Sequence, residues 1–195
     1  MFQEHRLFIA LDLPDEICGE VVRIQVDLKH VLDESILKWS RVQGIHLTLK
    51  FLGTVKEESI SSIQDCMTKV AKQQKHIQIQ LRELGIFPNV KRPKVLWCGI
   101  LSKSDGLLNL QTRLDAELGK WGFPKETRTF VPHLTIGRFR GVINKNNHFL
   151  NVFQGILEKG SKSCGQFVSA RSISLIKSQL HHTGSIYTSL FTFPF

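Results

Sequence analysis

The pattern of apolar and polar residues along the chain predicts strands that alternate with helices. The segment from Arg6 to Asp12 is a short apolar run closed by Pro14, which is typical of a buried strand. The segment from Ile77 to Leu84 alternates apolar with polar residues, as a half-buried strand should. We expect strands at residues 6–12, 45–52, 77–84, 94–101, 133–139, 166–170, 172–178 and 186–191.

Other segments repeat their apolar residues at helical spacing. The first of them places Ile17, Val21, Ile24 and Leu28 on one face. We expect helices at residues 15–32, 57–73, 105–118 and 147–159. Strands and helices intermix, and the alternating strand patterns indicate antiparallel sheets with one covered face. The predicted fold is therefore α+β and bilobal, with two similar lobes.

Composition narrows the class of protein and of partner. A chain of 195 residues with 42% apolar content is sufficient for one domain or for two small lobes that share a core. Its 26 Lys and Arg exceed its 17 Asp and Glu, and the formal net charge of +9 favours an anionic partner such as nucleic acid or phosphate. We expect a monomer, although the sequence contains no direct indication of oligomeric state.

Cysteine usage and the first residues indicate an intracellular protein. Four cysteines lie far apart, without a C-x-x-C pair or Cys-His ligand spacing, so we expect separate reduced thiols and neither disulfides nor a zinc site. The apolar run after Arg6 is too short for a signal peptide or a membrane span. We expect a cytoplasmic protein that does not bind membranes.

The unit His-Leu-Thr-apolar occurs twice, at His46 to Leu49 and at His133 to Ile136. Side chains of a strand alternate between its two faces, so each histidine shares a face with the threonine two positions on, about 7 Å away. The leucine and the last apolar residue point to the other face. Each unit therefore anchors itself in a core while it presents an imidazole and a hydroxyl to an open face.

Two such strands side by side would bring two imidazoles and two hydroxyls into one cleft. Imidazole titrates near pH 6.5, so one ring can take a proton while the other gives one. The hydroxyls can donate hydrogen bonds to an anionic oxygen between them. This chemistry suits displacement at phosphorus by water and needs no metal. A single His-x-Thr on a strand is more often an ordinary exposed pair, and it is the duplication that favours catalysis.

Two further candidates stand five residues after the histidines, namely Phe51 and Arg138. In a regular strand this odd offset would point them away from the histidine's face. A bulge or bend at Gly137 would return Arg138 to the cleft, where its guanidinium can hold a phosphate oxygen. The alternative is a surface arginine. Phe51 either stacks on a nucleobase or packs behind the strand.

The chain resembles the 2H phosphoesterases, and within them the RNA 2′,3′-cyclic phosphodiesterases, also called LigT-like 2′-5′ RNA ligases. The resemblance rests on segments at residues 6–14, 46–53, 87–100, 130–139 and 178–190. It implies a single domain over residues 1–195, made of two pseudo-symmetric lobes that each supply one His-x-Thr-x strand to a central cleft. It also implies that no metal or other cofactor is required.

By the same resemblance, His46 is the proton donor and His133 the proton acceptor, while Thr48 and Thr135 hold phosphate oxygens. The substrate would be RNA with a 2′,3′-cyclic phosphate terminus, opened to a 2′-phosphate, and 2′-5′ RNA ligation would be a further activity. From physics alone, the two histidines are interchangeable. Tyr187 matches an aromatic position near the cleft in relatives, where it would contact base or phosphate; the alternative is a tyrosine at the edge of the core.

Other functions and other residues remain open at this point. The catalytic residues would equally suit a phosphodiesterase acting on small cyclic nucleotides or on 2′-5′ oligoadenylate, and a basic RNA-binding module without turnover is a third possibility. Lys91, Arg92 and Lys94 form a basic loop that either contacts RNA backbone or is merely solvated. The histidines expected to be solvated and without function are His5, His30, His76 and His148.

Overall fold

A computed structural model describes residues 3–32, 34–140, 155, 164–181 and 184–195. Within this part of the chain there are nine strands and three α-helices. Their order is β1 (Glu4–Leu11), α1 (Asp15–Lys29), β2 (Leu37–Trp39), β3 (Leu47–Lys56), α2 (Ile60–Lys72), β4 (Ile77–Phe87), β5 (Val95–Ser102), α3 (Gly106–Gly119), β6 (His133–Phe139), β7 (Cys164–Ala170), β8 (Ser172–His181) and β9 (Gly184–Pro194). This combination confirms the predicted α+β class.

The strands form two antiparallel sheets that interleave along the chain. The first sheet has the order β3-β1-β8-β9 and the second has the order β2-β6-β5-β4-β7. Every neighbouring pair is antiparallel. The first sheet therefore combines β1 and β3 with β8 and β9, so neither sheet corresponds to one half of the sequence.

The helices divide between the two sheets. Helix α1 packs against β4 and β7, whereas α2 and α3 pack against each other and against strands of the first sheet. In α1, Ile17, Val21 and Leu28 are buried, as the helical spacing predicts. Asp15 and Glu16 in its first turn suit the positive end of the helix dipole. No helix within the described residues is long and apolar enough to span a membrane.

One hydrophobic core joins the two sheets. It includes residues from β1, β3, β4, β5 and β6, of which Ile9, Leu47, Ile79, Leu96 and Leu134 are almost completely buried. The leucines of both His-Leu-Thr units lie in this core. Burial of these apolar side chains thus fixes the side of each strand that faces away from the core, and the catalytic candidates lie on that side.

Several predicted boundaries differ from the structure. Strand β2 was not predicted, because three residues are too few for a periodic pattern. Helix α2 is preceded by a 3₁₀ turn at Glu57–Ser59, where the helix was expected to begin. Strand β4 continues past Leu84 to Phe87. The helix predicted at residues 147–159 lies outside the described residues, apart from residue 155.

The expectation that His5 is solvated is wrong. His5 is 7% exposed, and its Nε2 contacts the carboxylate of Glu57. The reason is its position in β1, opposite Val55, on the face that packs into the core. His30 and His76 are exposed as expected, and His148 lies outside the described residues. Cys18, Cys66 and Cys98 are free thiols.

Candidate active site

The two His-Leu-Thr units lie on strands that approach each other between the sheets. His46 immediately precedes β3, His133 is the first residue of β6, and the two strands contact each other. In both units the residues after histidine and threonine are buried, whereas the histidine and threonine themselves are half-buried. The apolar residues therefore anchor each strand, as the alternation predicts, and the histidine and threonine lie on its other face.

A β-bulge follows the threonine in both strands. In β3, Thr48 pairs with Ala10 and Lys50 pairs with Ile9, so Leu49 has no partner of its own in β1. In β6, Thr135 pairs with Trp97 and Gly137 pairs with Leu96, so Ile136 is the extra residue. The two bulges occupy equivalent positions in the two motifs, and they are the clearest local sign of pseudo-symmetry between the sheets.

The bulges turn the residues that follow them back toward the cleft side. Arg138 is exposed, and its charge acts on both His46 and His133. Phe51 is 64% exposed and its ring lies 5.9 Å from that of Phe8, which in turn contacts His46. The bend expected near Gly137 is thus present, one residue earlier, and it has an unpredicted counterpart in β3.

The two imidazoles form the same type of hydrogen bond, each to the backbone carbonyl two residues earlier. Nδ1 of His46 donates to the carbonyl of Gly44 at 2.8 Å, and Nδ1 of His133 donates to the carbonyl of Val131 at 2.7 Å. A carbonyl oxygen only accepts, so the hydrogen of the neutral ring is on Nδ1 and the lone pair is on Nε2. Nε2 of neither ring has a hydrogen-bond partner among the described residues, which leaves both atoms to exchange protons with a ligand.

Aromatic rings surround each imidazole. His46 lies 4.5 Å from the ring of Phe8 and 4.9 Å from that of Tyr187. His133 lies 4.9 Å from Phe87 and 6.0 Å from Trp97, and the latter two rings are stacked at 5.0 Å. These rings restrict the orientation of each imidazole and exclude water from its faces.

Burial and nearby positive charge both disfavour protonated histidine in the cleft. Burial lowers the pKa of His46, and the charges of Arg138 and His133 lower it further, against the opposing effect of the Gly44 hydrogen bond. Burial likewise lowers the pKa of His133, with a further contribution from Arg138. These three groups repel one another when charged because they lie close together. An anion placed among them would therefore be stabilised.

The sequence did not single out Phe8, Phe87 or Trp97. The sequence did contain an indication of Phe87 and Trp97, since both fall in the segment 87–100 that carries the family resemblance. In the structure, the indole of Trp97 packs on Gly85. A Cβ atom at position 85 would come within 2.0 Å of Trp97, so only glycine fits there. Tyr187, which was predicted, does contact His46 although it belongs to the far edge strand of the first sheet.

The side chains of the described residues offer no cluster of three or more His, Cys, Asp or Glu that could hold a metal ion. The two candidate histidines are accompanied instead by threonine, arginine and aromatic residues. The groups that the cleft presents are therefore proton donors and acceptors, one guanidinium and apolar rings.

Comparisons with known proteins agree with this geometry. A model of the 2′-5′ RNA ligase superfamily matches residues 13–145. A protein of Methanothermobacter thermautotrophicus named RNA 2′,3′-cyclic phosphodiesterase is 33% identical, over 96% of this chain and 97% of its own. A protein of the same name from Methanocaldococcus jannaschii is 34% identical, over 93% of this chain and 96% of its own.

Solved structures have the same fold. A crystal structure from Thermus thermophilus aligns over 97% of both chains with a TM-score of 0.79 and 25% identity. Escherichia coli LigT in complex with 3′-AMP aligns over 98% of both chains with a TM-score of 0.75 and 21% identity. Together with the duplicated motif and the extent of the sequence match, this shows that the chain belongs to the 2′-5′ RNA ligase superfamily of two-histidine phosphoesterases.

Proposed function

We propose that this protein hydrolyses RNA 2′,3′-cyclic phosphate ends to 2′-phosphomonoesters by two-histidine acid–base catalysis that uses no metal. The observation that carries the proposal is the matched pair of Nδ1 hydrogen bonds, which leaves Nε2 of both His46 and His133 free in one cleft beside Arg138. The relatives that match nearly the whole chain are named for this activity.

In the proposed reaction, Nε2 of His133 removes a proton from water as the water oxygen bonds to phosphorus. The bond between phosphorus and the 3′ oxygen breaks, and Nε2 of His46 supplies the proton that this oxygen needs. The bond to the 2′ oxygen is kept, so the product is a 2′-phosphate and a free 3′-hydroxyl. His133 takes one proton and His46 gives one, and proton exchange with water returns both rings to their starting protonation states.

The other candidates would stabilise the substrate during this displacement. The hydroxyls of Thr48 and Thr135 would donate to the non-bridging phosphate oxygens, a role that their position on the histidine side of each strand supports. The guanidinium of Arg138 would neutralise the charge that builds up on those oxygens. Phe51 and Tyr187 line the side of the cleft nearest His46, where they would contact the terminal nucleoside.

Hydrolysis of an oligonucleotide with a 2′,3′-cyclic phosphate end, measured in excess EDTA, tests the proposed function. We expect full activity in EDTA and a product that carries a 2′-phosphate, identified against synthetic 2′- and 3′-phosphate standards. Loss of activity in EDTA, or a 3′-phosphate product, would contradict the proposal. Turnover of only small cyclic nucleotides or 2′-5′ oligoadenylate would favour the alternative phosphodiesterase, and binding without product would favour an RNA-binding module.

The lowered pKa values of the two histidines predict an acidic optimum for kcat/KM. The free protein must have His46 protonated and His133 neutral, and His46 loses its proton as the pH rises through a pKa below the ordinary value of 6.5. We therefore expect kcat/KM to fall as the pH is raised above 6.5. Removing the charge of Arg138 should raise the pKa of both rings, so the Arg138→Gln variant should have its falling limb at higher pH.

The exposed Lys72 of α2 offers a control for this pH experiment, because Lys72→Gln removes the same charge far from the cleft. Its pH profile should coincide with that of the wild type. An Arg138→Gln profile that also coincides with the wild type would show that Arg138 does not influence the histidines.

A further inference from the structure

We propose that the RNA backbone on the 5′ side of the reacting nucleotide binds to a basic surface at one end of the second sheet. This surface, the basic end, consists of Lys38, Lys91, Arg92, Lys94, Arg138 and Arg140. The inference rests on the proposed function, and it adds a second site and a direction: the RNA leaves the cleft across the second sheet and not across the first.

The net charge of the protein is concentrated in three segments that include every residue of the basic end. Residues 36–44, 85–103 and 127–140 contain no Asp or Glu. They contain nine basic residues: Lys38, Arg41, Lys91, Arg92, Lys94, Lys103, Arg128, Arg138 and Arg140. The remaining 17 Lys and Arg equal the 17 Asp and Glu of the rest of the chain. The formal charge of +9 therefore belongs to these three segments, and six of their nine basic residues form the basic end, as expected for a surface that binds a polyanion.

Strand pairing brings the members of the basic end together. Lys38 in β2 is directly opposite Arg138 in β6, so their side chains project from the same face. The amide of Arg140 donates to the carbonyl of Ile36 at 2.8 Å, which continues the β2–β6 ladder by one more step. Arg140 is two positions after Arg138 and consequently shares its face.

The loop between β4 and β5 completes the same end of the sheet. The amide of Phe139 donates to the carbonyl of Lys94 at 3.0 Å, and the amide of Arg92 donates to the side chain of Asn89 at 3.0 Å. The first bond ties Lys94 to the end of β6, and the second shapes the turn that carries Arg92. Basic residues from distant parts of the sequence are thus neighbours in space.

The residues of the basic end are accessible to a ligand. All six of its residues are exposed. Within the part of the chain that the structure describes, Arg92, Lys94, Arg138 and Arg140 form no ion pair with an acidic residue. Other cations do have such partners, including Lys50, Lys69, Lys120 and Arg128. An RNA phosphate would therefore not have to displace an internal carboxylate at these four positions.

Arg138 connects this surface to the reacting centre. It is part of the basic end, and its charge also reaches both histidines. A polyanion that lies on the basic end can therefore extend into the cleft and place one of its phosphates between His46 and His133. A nucleic acid strand can do so, and phosphate contacts of this kind position a strand without reading its sequence.

The residues that follow the two equivalent bulges make the two sides of the cleft chemically different. The residue that the bulge turns toward the cleft is Phe51 in the first sheet and Arg138 in the second, so the two sides of the cleft differ in chemistry at this position. Both histidines have aromatic neighbours, but the exposed residue beyond the bulge is an aromatic ring on the His46 side and a cation on the His133 side, where it continues into the basic end. We infer that the terminal base faces the first sheet and the preceding phosphates face the second.

The test compares two substrates, a nucleoside 2′,3′-cyclic phosphate and a tetranucleotide with the same terminal nucleotide and the same cyclic phosphate. The measured quantity is the ratio of kcat/KM for the tetranucleotide to kcat/KM for the mononucleotide, at several salt concentrations. Because both values come from one protein sample, a partly misfolded variant does not alter the ratio. The variants are the pairs Lys38→Gln with Arg140→Gln and Arg92→Gln with Lys94→Gln, and the control pair is Arg6→Gln with Lys72→Gln.

We expect the wild type to prefer the tetranucleotide by about 10-fold or more at low salt, since each added phosphate contact releases counterions. Each variant pair should reduce this preference about fivefold. It should also reduce the slope of log(kcat/KM) against log[salt] by about 0.7 for each phosphate that the variant no longer binds. The control pair should keep the wild-type ratio.

A wild type that hydrolyses both substrates equally well would overturn the basic end as an RNA site and leave the proposed function intact. The basic end is overturned in the same way if neither variant pair lowers the ratio. If the wild type hydrolyses neither substrate, the proposed function fails, and binding of a fluorescent tetranucleotide 3′-phosphate tests the surface separately. Equal affinity of the wild type and both variant pairs for that probe would contradict it.

Discussion

Replacing either candidate histidine with alanine should lower kcat/KM for an RNA 2′,3′-cyclic phosphate by about 100-fold or more, the usual contribution of a general acid or base. In the proposed mechanism, His46→Ala removes the proton donor to the departing 3′ oxygen, and His133→Ala removes the acceptor that activates water. Single-turnover rates with the variant in excess over substrate would measure the chemical step free of product release. Wild-type activity in either variant would remove that histidine from the mechanism.

A substrate whose leaving group needs no proton distinguishes the two roles. When the 3′ oxygen of the cyclic phosphate is replaced by sulfur, the group departs as a thiolate, which is far less basic than an alkoxide. The defect of His46→Ala should shrink about 10-fold or more on this substrate, whereas the defect of His133→Ala should not change. The opposite pattern would exchange the two roles. His30→Ala is a matched control, because that exposed histidine lies at the end of α1, and it should have the wild-type rate.

Replacing Lys50 with methionine should lower the free energy of unfolding by about 3 kcal/mol, because it leaves a largely buried carboxylate without its partner. Lys50 is 6% exposed and Asp115 is 14% exposed, and the ammonium contacts the carboxylate directly. The ammonium also donates to the carbonyl of Pro124. We place the expected loss at the lower end of the range for such pairs because Asp115 still accepts a hydrogen bond from the amide of Glu126. Urea unfolding measures the loss.

The double variant Lys50→Met with Asp115→Leu should recover more than half of that loss, since removing both charges avoids an uncompensated buried ion. The ion pair of Lys69 with Glu117 offers a control, because Lys69 is 55% exposed. We expect Lys69→Met to change the free energy of unfolding by less than about 1 kcal/mol. If Lys50→Met is no more destabilising than Lys69→Met, the buried pair does not hold β3 to α3 and to the segment that leads into β6.

The strand pattern alone predicts the α+β class and the position of both His-Leu-Thr units. The reason is that burial dictates the alternation in these units: Leu47 and Leu134 must enter the core, and His46 and His133 consequently face away from it. The contact between β3 and β6 across the cleft was predicted from the duplication of the motif. No pattern within either strand indicates it. The roles of donor and acceptor are likewise not visible in the motif, because its two copies are nearly identical.

What the sequence could not show depends on contacts between distant strands. Gly137 indicated a bend in β6, but the bulge at Leu49 is visible only in the register with β1, and without it Phe51 would point away from the cleft. The stack of Phe87 and Trp97 requires β4 to continue through Gly85, which a propensity pattern would treat as a break. His5 looked solvated because its partner Glu57 is 52 positions away.

The interleaving of the two sheets has a consequence for how the protein is made. Strand β1 lies between β3 and β8, and Tyr187 in β9 supplies one of the rings against His46. Until β8 and β9 have emerged from the ribosome, β1 therefore lacks one neighbouring strand and His46 lacks its contact with Tyr187. A nascent chain that already contains both histidines consequently still has an incomplete first sheet, and the surroundings of His46 are complete only when the C-terminal hairpin pairs with the strand that was synthesised first.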